Sequence, residues 1–166
     1  MDEVLGEGQY GKVCKAMLAS EVQQAQRTRE SGTSVEVSQK KKQVFACKII
    51  EIANISQEDM DCIQKEVRIH SMIKNDYSVK LYQTIKTSSN IYMIQELCNG
   101  FDLAVLLKLR KRITQAEARL IMQKVVTGIK DIWTLGIIHR DMKLANILLH
   151  FPEYPQLDSM SKAEKR

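Results

Sequence analysis

The sequence predicts an α+β fold, with a β-sheet in its first part and helices in its second. Two observations carry this prediction. Apolar β-prone runs with one helical segment between them dominate up to residue 96, and apolar residues recur at helical spacing from Phe101 onward. The length of 166 residues corresponds to one domain or to part of a larger one. Hydrophobic residues make up 44% and charged residues 27%, a balance typical of folded globular proteins.

The first part predicts five strands around one helix. Residues 4–20 begin with glycines and continue as a β-prone run, which indicates a hairpin, and residues 44–50 indicate a third strand. Residues 79–84 and 90–96 indicate two further strands, joined by a polar turn. The polar stretch 21–43 has weak periodicity and is interpreted as an exposed insertion. The resulting order, β-β-β-α-β-β followed by helices, is that of an α+β fold.

The helix of the first part is predicted to begin at Ser56. Asp59 stands three residues later, where an acidic side chain can complete a helix cap. The stripe that follows has helical spacing and consists of Met60, Ile63, Val67 and His70. Glu66 is next to Val67, so it is expected at the border of the buried face.

The second part predicts a short helix around Leu103 and a long one that begins after Thr114. Thr114 and Glu117 form a capping-box pattern, and Gly136 is a suitable stop signal. The apolar positions of the long helix are Ala118, Ile121, Met122, Val125, Ile129, Ile132 and Trp133. Residues 147–149 form another strand-like run.

Composition excludes several classes of protein. No apolar run approaches the roughly 18–20 residues needed to span a bilayer. The net charge of +5 is dispersed apart from the lysines at 40–42, and aromatic residues are only 5%, so no nucleic-acid partner is expected. The four cysteines are scattered without a C-x-x-C pair, which favours reduced thiols in an intracellular, cytoplasmic or nuclear protein.

The segment 6–13 fits the pattern G-x-G-x-x-G-x-V, with glycines at Gly6, Gly8 and Gly11. Glycines allow backbone amides to approach phosphate groups without obstruction by a side chain. A β-prone run follows this loop, which disfavours the dinucleotide-binding version of the motif, because that version needs a helix there. By itself the loop is compatible with an ordinary glycine-rich turn.

Lys48 lies inside an otherwise apolar strand, where a charge must find a counter-charge or face water. Glu66, at the inner edge of the predicted helix, is its natural partner. Such an ion pair could hold the α- and β-phosphates of a nucleoside triphosphate. A lysine that simply faces solvent is the alternative.

The segment 139–146 reads H-R-D-M-K-L-A-N, and here the chain resembles the eukaryotic protein kinase family. The glycine loop, V-F-A-C-K, a helix glutamate, a hinge-like segment and this loop occur in the family's order. The resemblance covers residues 5–149 apart from the insertion at 21–43. It implies a kinase-like fold, with an N-terminal sheet lobe at 1–97 and an incomplete helical C-terminal lobe at 98–166.

The resemblance also implies a role for each matching residue. Lys48, held by Glu66, would position the phosphates of ATP, which the three glycines would cover. Asp141 would accept the proton of a protein hydroxyl, Lys143 would stabilise the transferring phosphoryl group, and Asn146 would help to hold Mg²⁺. The residues that would surround the nucleoside are Leu5, Val13, Ala46, Glu96, Cys98, Asp102 and Leu148, with Gln95 guarding the back pocket. The lysine at 143 is typical of serine/threonine kinases.

The sequence departs from the family at the Mg²⁺-binding D-F-G motif, which it does not contain. Asp158 lies at nearly the right distance from Asp141, but no Phe-Gly follows it, and Pro155 precedes it. We therefore expect a kinase fragment in which residue 151 begins an insertion, and which has little or no activity in isolation. The alternatives are a non-catalytic, pseudokinase-like nucleotide-binding or interaction module and, less well supported, a nucleic-acid binder that uses the lysines at 40–42.

Overall fold

The computed structural model describes residues 3–8, 11–17, 43–154 and 157, and it contains one antiparallel sheet of five strands. The strands lie in the order β1-β2-β3-β5-β4. Their bounds are Val4–Gly8 for β1, Gly11–Met17 for β2, Val44–Glu51 for β3, Leu81–Lys86 for β4 and Asn90–Glu96 for β5. The predicted α+β order is confirmed. The calls on residues 21–42 of the insertion and on Asp158 lie outside the described residues.

Strand β4 begins two residues later than predicted. The carbonyl of Val79 accepts a hydrogen bond from the ring of His70 at 2.7 Å instead of pairing within the sheet. The register between β4 and β5 also shifts between Leu81 and Gln83. Local β-propensity at Val79 is therefore overridden by a tertiary contact with the neighbouring helix.

Helix α1, Gln57–Met72, begins where the sequence predicts. The Ser56 hydroxyl accepts a hydrogen bond from the Asp59 amide at 3.1 Å, so the predicted cap is present. Ile63 is 1% exposed and packs into a core formed with Ile50, Ile52, Ile91 and Met93. This packing places α1 against one face of the sheet.

Helices α2, Leu103–Arg110, and α3, Gln115–Thr134, follow in the second part. The capping box of α3 is present, with Thr114 and Glu117 bonding reciprocally. Arg110 at the end of α2 also donates to Glu117 at 2.6 Å. The backbone hydrogen bond from Thr114, together with the side-chain hydrogen bond from Arg110, lowers the pKa of Glu117 to about 2. This carboxylate therefore fixes the turn between the two helices.

Helix α3 leaves much of its apolar surface in water. Ile132 is buried, but Trp133 is 71% exposed and Met122 is 51% exposed. Helical spacing correctly predicts the helix, whereas burial depends on what packs against it. None of the described helices combines the length and the apolar character that a membrane span requires.

The strand-like run at 147–149 does not form a regular strand, so this prediction is wrong. A short 3₁₀ turn at Leu144–Asn146 precedes it, and only an isolated bridge joins Leu148 to Asp102. Phe101 accepts a hydrogen bond from Leu149, and Leu103 donates to Ile147. The segment that pairs with Leu148 begins helix α2 at Leu103, directly after Asp102. The pairing therefore cannot extend into a regular strand ladder.

Candidate active site

Lys48 and Glu66 form an ion pair between the sheet and α1. The Nζ atom of Lys48 lies 2.5 Å from Oε1 of Glu66. Alternate residues of β3 share a face, so Lys48 lies on the same face as Ile50, which packs against α1. The two side chains are 26% and 45% exposed, and such a pair contributes about 0–1 kcal/mol to stability. The predicted partnership is present, and its position suggests a role beyond stability.

The glycine-rich loop joins β1 to β2, as the hairpin prediction requires. Gly8 pairs with Gly11 and Gly6 with Val13, while the loop tip lies outside the described residues. Gly11 has φ 153°, and a Cβ there would lie 1.9 Å from the carbonyl oxygen of Ile49. A Cβ on Gly6 would meet nothing within 4 Å. Glycine is thus structurally required at position 11, whereas at position 6 it leaves open space.

Three of the predicted nucleoside-contacting residues lie close to Lys48 in the sheet. Val13 is directly opposite Lys48 in the β2–β3 pairing, and Ala46 shares the face of Lys48 two residues earlier. Leu5 lies beside Gly6, which pairs with Val13. Ala46 is 8% exposed, and Leu5 and Val13 are partly exposed. The structure therefore gathers apolar side chains and the lysine at one part of the sheet.

The segment after β5 holds Glu96, Cys98 and Asp102. The backbone amide of Glu96 donates to the Lys80 carbonyl at 2.9 Å. The backbone carbonyl of Glu96 is therefore the group that could accept a hydrogen bond from a ligand. Burial, and secondarily the negative charge of Glu96, raises the pKa of the Cys98 thiol to about 11. That thiol is therefore protonated and unreactive at neutral pH.

Asp102 has a structural task that the sequence interpretation missed. Its Oδ1 atom accepts a hydrogen bond from the Val105 amide at 2.8 Å and caps α2. Its backbone also bridges to Leu148, which is 47% exposed. The residue predicted to contact a ribose and the residue predicted to lie under the adenine are thus neighbours. The second carboxylate oxygen of Asp102 is not used by this cap.

Gln95 is linked to α1 through His70. The Nε2 atom of His70 lies 2.7 Å from the Val79 carbonyl, and because a carbonyl only accepts, Nε2 must carry the proton. The other ring nitrogen, Nδ1, lies 3.5 Å from the side-chain nitrogen of Gln95. Both residues are partly buried. The predicted back-pocket residue, Gln95, therefore lies next to the helix that carries Glu66.

The catalytic-loop residues form a second charged cluster. Lys143 Nζ lies 2.9 Å from Oδ2 of Asp141, and Asn146 Nδ2 donates to that oxygen at 2.8 Å and to the Asp141 carbonyl at 2.7 Å. The hydrogen bond from Lys143, followed by that from Asn146, lowers the pKa of Asp141 below its usual range. Asp141 is therefore a carboxylate at neutral pH, with one oxygen outside these contacts.

Arg140, directly before Asp141, has φ 65°. A non-glycine residue in this region carries conformational strain of order 1–3 kcal/mol, and such residues are concentrated at functional sites. The amide of Asp141 also bonds to the ring of His139 at 3.3 Å. The sequence motif gave no direct sign of this backbone conformation.

The donor set for Mg²⁺ is partial. Both hydrogen bonds of Asn146 use its nitrogen, so its amide oxygen, the atom that a hard cation prefers, is not consumed by them. The described residues contain no group of three or more His, Cys, Asp or Glu side chains placed to hold a metal. The amide oxygen of Asn146 suits a magnesium ligand, but at least one carboxylate ligand would have to join it. A cavity of about 330 Å³ lies at the start of α3 and contains none of the predicted site residues.

Sequence reasoning missed Asn99, the buried polar side chain in the described part of the chain, at 1% exposure. Its side chain bonds to the backbone of Phe151 and Tyr154. The only sequence signal was an Asn-Gly pair after an apolar strand, which is typical of turns.

Comparisons with known proteins agree with this geometry. Residues 30–157 match the family model of the protein kinase domain. The serine/threonine-protein kinase plk-2 of Caenorhabditis elegans is 38% identical over 65% of this chain and 17% of its own length. Human protein kinase C eta type is 31% identical over 88% of this chain and 19% of its own length. The chain thus spans less than a third of these curated relatives.

A crystal structure of Rad53 in complex with AMP-PNP superposes with a TM-score of 0.69 and 26% identity. The match covers 93% of this chain and 35% of the Rad53 chain. The predicted kinase-like fold is therefore confirmed. Among the relatives, plk-2 is a serine/threonine-protein kinase by name. The family match covers more than half of the sequence, so the chain belongs to the protein kinase domain family.

Proposed function

We propose that this chain carries the nucleotide-binding and catalytic-loop part of an ATP-dependent protein serine/threonine kinase. The observation that carries the proposal is the contact between Lys48 and Glu66, because it joins two residues from distant parts of the sequence into an ion pair that orients the ammonium group beside apolar side chains. The AMP-PNP in the Rad53 structure supports ATP as the nucleotide. Phosphoryl transfer needs mainly positioning and charge neutralisation, which these residues can provide.

In this proposal the sheet lobe, residues 1–97, binds ATP. Val13 and Ala46 contact the adenine, and the Lys48 ammonium neutralises phosphate charge while Glu66 holds it in place. The glycines of the β1–β2 hairpin let backbone amides approach the phosphates. Asp102 retains one carboxylate oxygen for the ribose, since its other oxygen caps α2.

The second lobe, residues 98–166, supplies the acceptor side of the reaction. Asp141 orients a serine or threonine hydroxyl of a protein substrate and accepts its proton, and Lys143 stabilises negative charge on the transferring phosphoryl group. Asn146 would contribute an oxygen to Mg²⁺, which neutralises phosphate charge when bound. We propose that the protein acts in the cytoplasm or the nucleus.

A second candidate function is nucleotide binding without phosphoryl transfer. It is favoured by the described residues, which contain no group of three or more His, Cys, Asp or Glu side chains that could hold a metal ion. Under this alternative Asp141 and Lys143 would have no catalytic task. ATP binding separates both candidates from a purely structural role, and phosphoryl transfer separates them from each other.

The binding test is a calorimetric titration of the purified chain with ATP, with and without Mg²⁺. We expect saturable binding that weakens about tenfold or more in Lys48→Met, because a partner of the phosphate charge is lost. Lys86→Met, which removes an exposed lysine from β4, is the matched control and should bind as the wild type does. Equal binding by both variants would contradict the proposed site.

The transfer test measures phosphorylation of a generic protein substrate by the chain and by its Asp141→Asn variant. We expect little or no transfer by the 166-residue chain, because its described residues contain no group of three or more His, Cys, Asp or Glu side chains that could hold a metal beside Asn146. Transfer that disappears in Asp141→Asn would show that the chain is active after all. Transfer in a longer product of the same gene, again lost in Asp141→Asn, would favour the enzyme over the non-catalytic alternative.

A further inference from the structure

The buried side chain of Asn99 makes all three of its hydrogen bonds to one segment that is distant in the sequence. At 1% exposure its amide must be satisfied internally, since an unpaired buried polar group costs about 1–3 kcal/mol. Its Nδ2 atom donates to the carbonyls of Phe151 at 3.0 Å and Tyr154 at 3.2 Å. Its Oδ1 atom accepts from the Phe151 amide at 2.8 Å. All three bonds go to residues that follow the catalytic loop.

The segment that Asn99 contacts is a tight turn. The Tyr154 amide donates to the Phe151 carbonyl at 3.0 Å, with Pro152 as the second residue of the turn. Proline is favoured there because its ring presets the backbone angle. The Asn99 amide thus bonds to both ends of a turn that is already shaped by its own sequence.

Gly100 supports the same contact independently. A Cβ at this position would lie 2.7 Å from the Leu149 carbonyl oxygen, 2.8 Å from the Leu149 Cβ and 3.0 Å from Cε2 of Phe151. The Gly100 amide also donates to the Leu149 carbonyl at 3.0 Å. Glycine is therefore needed for this close approach, and two adjacent residues hold the segment 149–154.

We propose that Asn99 and Gly100 are positioning residues that fix the depth of Leu148 beneath the base of the bound nucleotide. Leu148 directly precedes the held segment and bridges to Asp102, the cap of α2. Release of segment 149–154 would leave Leu148 held by this bridge and by the flanking hydrogen bonds of Ile147 and Leu149, so the Leu148 side chain could shift relative to the base. This inference rests on the proposed function, because it assigns Leu148 to an adenine site.

The experiment separates the base from the phosphates. Adenosine and inorganic tripolyphosphate are titrated into the full chain and into Asn99→Asp, which keeps the acceptor for Phe151 but turns a carboxylate oxygen toward two carbonyls. We expect adenosine affinity to fall about tenfold and tripolyphosphate affinity to stay unchanged, because Lys48 is untouched. Asn90→Asp, the same substitution at the first residue of β5, is the control and should change neither affinity.

Hydrogen exchange of the Phe151 amide reports the docking directly. We expect this amide to exchange about tenfold faster in Asn99→Asp than in the wild type. If Asn99→Asp does not fold, Pro152→Ala loosens the turn without a change in the connecting segment, and the same selective loss of adenosine affinity is expected. Faster exchange with unchanged adenosine affinity would overturn the inference, as would unchanged exchange.

Failure of the proposed function has a different signature. A wild-type chain that binds neither adenosine nor tripolyphosphate contradicts the nucleotide site, and with it the part of the inference that concerns Leu148. The docking of the turn by Asn99 is then judged by the Phe151 exchange rate alone. A chain that binds both ligands equally well in every variant retains the site but contradicts the positioning role.

Discussion

The two charged clusters of the candidate site are held in place by different means. Lys48 and Glu66 are separated by 18 residues and meet because α1 packs on the sheet through Ile63. Asp141, Lys143 and Asn146 lie within a single loop and bond to one another over two to five residues. The first pair therefore depends on the stability of a core, whereas the second depends mainly on local backbone conformation.

The largest expected effect comes from the core beneath the first cluster. Ile63→Ala should lower the free energy of unfolding by about 2–5 kcal/mol, because a fully buried isoleucine is replaced by a cavity. Urea denaturation measures the change. Ile69→Ala, on the same helix but 40% exposed, should have a much smaller effect. Equal losses in the two variants would show that α1 does not pack as described.

The glycine loop gives the next largest effect. Gly11→Ala should destabilise the chain by about 1–3 kcal/mol, because its Cβ collides with the Ile49 carbonyl and its φ is unfavourable. Gly6→Ala should leave stability within about 0.5 kcal/mol, since nothing surrounds the added methyl group. Thermal unfolding of both variants tests the difference. A Gly11→Ala protein as stable as the wild type would contradict the close approach of Gly11 to Ile49 in the β2–β3 pairing.

The ion pair itself should affect function more than stability. Glu66→Gln should change the free energy of unfolding by no more than about 1 kcal/mol, because the pair is partly exposed. ATP affinity should fall, since Lys48 loses the partner that orients it. Glu58→Gln, in the first turn of the same helix, is the control for the loss of a helix carboxylate. Urea denaturation measures the free energy of unfolding, and calorimetric titration with ATP measures the affinity.

The smallest effect concerns the local cluster. Lys143→Ala should raise the pKa of Asp141 toward 3.8, because the hydrogen bond from Lys143 is the largest cause of its lowered value. A carboxylate whose pKa is lowered by folding stabilises the folded state at pH values above its pKa in the unfolded chain. This stabilisation is lost as the pH falls through the pKa of the folded state. Asp141 therefore stays ionised at neutral pH in both proteins. NMR titration of the Asp141 carboxyl group measures its pKa. Lys130→Ala is the control and should leave the pKa of Asp141 unchanged.

The sequence predicted the regular elements and the local contacts well. Ser56 and Thr114 cap their helices as expected, because capping depends on residues three positions apart. The strand at 147–149 was predicted wrongly, since its partner segment turns into α2. Asn99 gave no interpretable signal, because its three hydrogen bonds reach residues 52 to 55 positions away.

The amino-acid order by itself determined the period of each helix and strand, the caps and the order of the kinase motifs. These follow from interactions between near neighbours along the chain. The sequence also named Glu66 as the partner of Lys48, but only the tertiary structure decided the geometry of their contact, the capping of α2 by Asp102 and the hold of Asn99 on the turn after the catalytic loop. Such contacts depend on how whole elements pack, and packing is set by burial and shape over distances that no local pattern encodes.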